Sequence, residues 1–159
     1  MRLSSGRGRV AGESYFGTDV YNPTEVHRRH AAEHRQHAGD HQSAAEALDV
    51  FEQVECREFP AETRRLCPLL GYQATVLEIP GGVRLTFPEG TPLDAVLHHV
   101  RCHVAFARAR GREGMSNCPL YVEGASASEG PSPRTVDIVT DQPGRVDEMR
   151  RRVSTHLSH

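Results

Sequence analysis

Two copies of Cys-Pro-Leu, at Cys67-Pro68-Leu69 and Cys118-Pro119-Leu120, each open a stretch that runs in the same order: strand, turn, strand, helix. In the first stretch "YQATVLEI" and the turn "PGG" precede a second strand. There Val83, Leu85 and Phe87 alternate with Arg84 and Thr86, the period-two pattern of a half-buried strand. "TPLD" then caps a helix that runs from about Leu93 until Gly111 stops it. In the second stretch "CPLYVEGASAS" and "TVDIVTD" read as a hairpin, followed by a helix from about Pro143 to His156. The two helices end in matching tetrapeptides, "VRCH" at 100–103 and "VSTH" at 153–156. A duplicated ββα unit predicts a four-stranded antiparallel sheet with two helices on one face, an α+β domain over residues 67–159.

The part before it has a different grammar. Residues 1–21 are rich in Gly, Ser and Arg and read as a flexible arm, whose later part Tyr15, Phe16 and Tyr21 are placed to anchor. "NPTE" is a helix start: Asn22 caps, Pro23 suits the first helical position, and Glu25 completes a capping box. From there to about Cys56 only Gly39 opposes a helix of roughly nine turns. A short helical turn after Pro60, in "PAETRRLC", completes a segment 22–66 expected to pack on the sheet domain.

That helix carries His27, His30, His34, His37 and His41, at steps of three and four residues. At about 100° per residue they fall within an arc of about 80°, a stripe about 21 Å long. Side chains three or four apart stand about 5–6 Å from one another at Cβ, so neighbouring imidazoles can share a metal ion. The same register continues as Ala44, Leu48 and Phe51, so the row also reads as the wetter end of a packing seam against another helix or a second copy. A third reading is a pH switch, since stacked imidazoles repel once charged.

A second cluster, "HHVRCH", sets His98, His99, Cys102 and His103 on one later helix, with His99 and His103 four apart. The apolar residues Leu93, Val96, Leu97, Val100 and Val104 form the face turned to the sheet. Cys102 lies opposite them, so something must cover it, and the long N-terminal helix is the candidate. Such packing brings Cys56 or the histidine stripe close. Mixed thiolate and imidazole ligation suits zinc, or copper where sulfur dominates. The residues for it are Cys102, His103 and His99, completed by Cys118 or Cys56. The alternatives are buried free thiols or disulfides, Cys102–Cys118 or Cys56–Cys67.

The remaining totals mainly exclude. Over 159 residues the apolar fraction is 37% with no tryptophan and the net charge is −2, so the core is modest and nothing global favours nucleic acid. No apolar run approaches the roughly 20 residues of a membrane span. The N-terminus is basic at first but lacks the apolar stretch of a signal peptide, which leaves a cytoplasmic setting or an export signal already removed as the expectations. There is no Walker loop, dinucleotide fingerprint or nucleophile elbow. Cys102 beside His98 and His99 leaves a thiol enzyme as an alternative. The two Cys-Pro dipeptides resemble the thiolate contacts of some haem-sensing proteins, where the cysteine is an axial ligand.

The run "YNPTEVHRRHAAEHRQHAGDHQSAAEALDVFEQVEC", with "RCHVAFARARG" and "NCPLYVEG" after it, resembles a group of uncharacterised bacterial lipoprotein-like proteins. These have a His- and Ala-rich helix ending in a cysteine, a later Cys-His pair and a Cys-Pro-Leu segment. The resemblance implies an extracytoplasmic setting and points to Cys56, Cys102, His103 and Cys118. It implies no activity. The expectation is a non-catalytic copper- or zinc-binding protein of the cell envelope, for buffering, sensing or delivery. A structural module paired through its histidine-lined helix, with its cysteines in disulfides, is the alternative.

Overall fold

The structure is a computed structural model that describes residues 22–157. The expected arm, residues 1–21, lies outside them. The helix α1 (Pro23–Glu55) starts where "NPTE" predicts: Asn22 Oδ1 accepts the backbone N–H groups of Thr24 and Glu25 at 3.1 and 3.3 Å. A one-turn helix α2 (Ala61–Arg64) follows Pro60. The chain divides into two compact units within α1. The first ends at Gly39 and the second is Asp40–His159.

In the second unit the duplicated pattern folds as a four-stranded antiparallel sheet. Its strands are β1 (Thr75–Ile79), β2 (Gly82–Thr86), β3 (Ala125–Glu129) and β4 (Thr135–Thr140), in the order β1-β2-β4-β3. Gly81, at φ 79°, makes the tight β1–β2 turn that a side chain would strain. The two hairpins meet along β2 and β4, where Val83 faces Ile138, Leu85 faces Val136 and Arg84 faces Asp137. Alternation then sorts the faces. Val83, Leu85, Val136 and Ile138 are buried together, while Arg84 and Asp137 form a two-pronged ion pair on the other face, at 2.6 and 2.8 Å.

The helices α3 (Leu93–Arg110) and α4 (Val146–Leu157) cover the apolar face. From α3 the expected stripe Val96, Leu97, Val100 and Val104 enters the core, and from α4 Met149 and Val153 do. Each such side chain contributes about 1.5–3 kcal/mol through removal from water. Two local expectations differ. "CPLY" makes a 3-10 turn at Pro119–Tyr121 rather than strand, because Pro119 fixes a helical φ and offers no ladder N–H. Position 92, not Thr91, precedes α3, and no side chain caps it.

The end of α1 is tied to α3. Glu52, only 2% exposed, accepts from Arg64 Nη1 at 2.9 Å and Arg110 Nε at 3.0 Å. Arg64 also donates to the carbonyls of Phe59 and Cys56. Phe51 lies under the Arg108 guanidinium, 5.8 Å from ring centre to carbon. Glu52→Ala leaves two guanidinium groups without their shared acceptor and is expected to cost about 1–3 kcal/mol. Urea unfolding reads this as a lower midpoint at unchanged slope. An unchanged midpoint shows that the pair contributes nothing.

Candidate metal centre

The fold gathers Cys67, His103 and Cys118 beneath α3. One ligand atom from each lies within 4.8 Å of the others, and the three residues are 5%, 0% and 2% exposed. The two sulfurs are 3.4 Å apart, and Cys118 Sγ is 3.6 Å from His103 Nε2. A fourth group borders them: His156 Nε2, from the last turn of α4, is 3.0 Å from Cys67 Sγ. The distances within Cys67, His103 and Cys118 fit atoms that share one small ion, and His156 stands outside that mutual set.

The Cys-Pro-Leu motif explains how each sulfur is held. Cys118 precedes a 3-10 turn whose first residue is Pro119, so the amides of Leu120 and Tyr121 turn back towards its sulfur. The amide of Leu69 does the same for Cys67. Arg152 Nη1 fixes the Cys118 carbonyl from α4 at 3.1 Å. Amides aimed at sulfur favour the thiolate, the form that ligates metals.

His103 is oriented from its far side. Its Nδ1 lies 2.7 Å from the Arg64 carbonyl, which can only accept, so Nδ1 carries the proton. Nε2 then presents a lone pair to the sulfurs, as when a backbone carbonyl orients a metal-bound histidine. Burial, aided by the nearby His99 and His156, lowers the His103 pKa to about 4. The ring is therefore neutral at pH 7, ready to ligate.

The thiols divide one proton unequally. A hydrogen bond from Cys118 is the largest cause that lowers the Cys67 pKa, to about 6, against the opposing effect of burial. The same contact pushes Cys118 up, because a second negative sulfur would stand beside the first. The contact therefore favours a single negative charge over two on the paired sulfurs, beside a neutral imidazole.

The other expected ligands are placed elsewhere. Cys56 and Cys102 are joined to each other by a disulfide, so neither offers a thiolate, and the mixed set built on Cys102 is corrected to one containing Cys67. The cause is geometric: Cys102 projects from the side of α3 that meets the end of α1, whereas His103, one residue on, turns inward. The anticipated Cys102–Cys118 and Cys56–Cys67 bonds are replaced by this pairing. His99 stacks on Phe59 at 4.8 Å and lies 3.2 Å from the Thr63 carbonyl, away from the thiols. His27, His30, His34, His37 and His41 are all exposed on α1. A haem contact needs an open face beside its sulfur, and Cys67 and Cys118 instead meet each other and an imidazole.

Comparison of the chain with protein-family models, curated proteins and solved structures finds no match. Sequence reasoning placed His103 and Cys118 among the ligands, but it did not include Cys67 or His156. The signal was present in the duplication, which pairs Cys67 with Cys118 and "VRCH" with "VSTH".

Proposed function

We propose that the protein is a non-catalytic transition-metal binding protein, whose tight site is the buried group Cys67, His103 and Cys118. The convergence of two sulfurs and one oriented imidazole is the observation that carries this reading. Two sulfurs with nitrogen favour zinc, and copper(I) is the other metal such soft ligands select. Buffering, sensing or delivery in the cell envelope is the setting we assign. The Cys56–Cys102 disulfide supports an oxidising compartment, where such bonds persist. No helix among the described residues is long and apolar enough to cross a membrane.

The histidine stripe is a second, weaker capture surface in this reading, supported by its exposure and its three-and-four spacing. Calorimetric titration with Zn²⁺ and Cu²⁺ tests both parts. One tight event should persist when His30, His34 and His37 are replaced together by Gln, while the weaker events lose at least about tenfold in affinity, roughly 1.4 kcal/mol. Weak binding unchanged by the substitutions removes the stripe. Absence of the tight event overturns the buried site.

A second reading rests on the same 3.4 Å sulfur contact: in an oxidising compartment Cys67 and Cys118 form another disulfide, and the domain is structural. In that case α1 is the interaction surface for a partner helix or second copy. Exposed Leu48, Val50, Phe51 and Val54 support this.

A further inference from the structure

The two halves of the sheet domain are related by a pseudo-two-fold axis, and the metal site inherits it. One offset of 53 residues carries Arg84 to its own pairing partner Asp137. The same shift carries Leu85 to Ile138, Val100 to Val153 and His103 to His156. Strand order β1-β2-β4-β3 is symmetric under that exchange, as is the β2–β4 register centred on Arg84 and Asp137. Before the hairpin turn, which is two residues longer in the second repeat, the offset is 51: it carries Leu77, opposite Arg84, to Ser128, opposite Asp137, and it carries Cys67 to Cys118.

Under this exchange the observed contacts form equivalent pairs. Cys118 of the second repeat meets His103 of the first, at 3.6 Å, and Cys67 of the first meets His156 of the second, at 3.0 Å. The sulfur–sulfur contact is its own equivalent. Three ligands leave a zinc ion one position open, whereas structural sites are closed by four. We propose that His156 is the fourth ligand, and that each repeat supplies one cysteine and one histidine to a closed Cys₂His₂ site for Zn²⁺. This rests on the metal-binding reading above and adds to it a ligand, a metal and a class of site. Drawing one ion between the four atoms replaces the Cys67–His156 contact with metal bonds. His156 Nε2 lies outside the set of atoms mutually within 4.8 Å, so it reaches the ion by a shift of the last turn of α4, where helix ends fray.

The assignment has a structural consequence. With four protein ligands no water or substrate position remains, so the metal holds α4 against the Cys67 segment rather than performing chemistry. It also accounts for matched motifs at two chain positions that packing alone does not require to contain Cys and His.

Titration of the full chain with Co²⁺, displaced afterwards by Zn²⁺, tests the assignment. The wild type should show the intense ligand-field bands of four-coordinate cobalt with thiolate charge transfer. His156→Gln should lose at least about tenfold in affinity and weaken those bands as water enters. His156→Cys should restore four-coordination and add thiolate charge-transfer intensity, which a merely structural histidine would not do. If both variants keep the wild-type spectrum and affinity, His156 is not a ligand, though the metal site stands. If the wild type binds neither ion, the metal reading itself fails. Circular dichroism of each variant without metal separates ligand loss from unfolding. If His156→Gln does not fold, the charge-transfer intensity of His156→Cys decides: a gain supports the ligand, and no gain overturns it.

Discussion

Replacing Cys67 and Cys118 together by serine is expected to lower Zn²⁺ affinity by more than about 100-fold. Loss of an outer hydrogen-bond partner of a metal ligand already costs 10–100-fold, and here both anionic ligands disappear. Serine keeps nearly the volume of cysteine, so the core around Leu69 and Leu120 stays filled, but its hydroxyl does not ionise near neutral pH. The effect extends to stability. A ligand at 1,000 times its dissociation constant stabilises the folded state by about 4.1 kcal/mol. Zinc should therefore raise the melting temperature of the wild type and leave that of the double variant unmoved. Competition against a chromogenic chelator gives the affinities, and equal values for the two proteins would remove both sulfurs from the site.

The second large effect concerns the other two cysteines. The Cys56–Cys102 bond closes a loop of sequence separation 46, for which chain-entropy reasoning gives about 4 kcal/mol of stabilisation. The double variant Cys56→Ser, Cys102→Ser should melt at least about 8 °C lower, taking a loss of only about 2 kcal/mol for a domain of this size. Its zinc stoichiometry should be that of the wild type, since neither sulfur belongs to the buried group. Calorimetry on the two proteins, with and without zinc, separates the roles. Loss of zinc from a folded variant would return Cys102 to the ligand set. An unchanged melting temperature would show that the bond does not constrain the unfolded chain.

These expectations show what the sequence makes legible and what it withholds. Alternation at Val83, Leu85 and Phe87, and the start "NPTE", are local signals. They yield the hairpin strand and the origin of α1 because period and capping depend on neighbouring residues. The duplication is also legible, and it implies the four-stranded antiparallel sheet. Cysteine pairing is different in kind. Cys102 and His103 are adjacent in sequence, but a helix turns successive side chains by about 100°. One therefore faces α1 and becomes a disulfide, while the other enters the core. Reading "RCH" as a unit assigned both to one site.

Cys67 was hidden for a related reason. Its partners are 36 to 89 positions away in the chain, and only the closed sheet brings them together. The histidine stripe shows the reverse imbalance. It is the most conspicuous pattern in the sequence, yet in the structure its residues are simply exposed, so its chemistry rests on spacing alone.

Everything proposed for this protein turns on Cys67 and Cys118, the two thiols outside the disulfide, acting as metal ligands. The most direct measurement is metal content with a free-thiol count on the same tag-free sample, purified without chelators or immobilised-metal columns. About one tightly held zinc per chain is expected, with two thiols, Cys67 and Cys118, that react only after a chelator removes the metal. A sample without metal whose thiols are all oxidised, or all freely reactive, would contradict it.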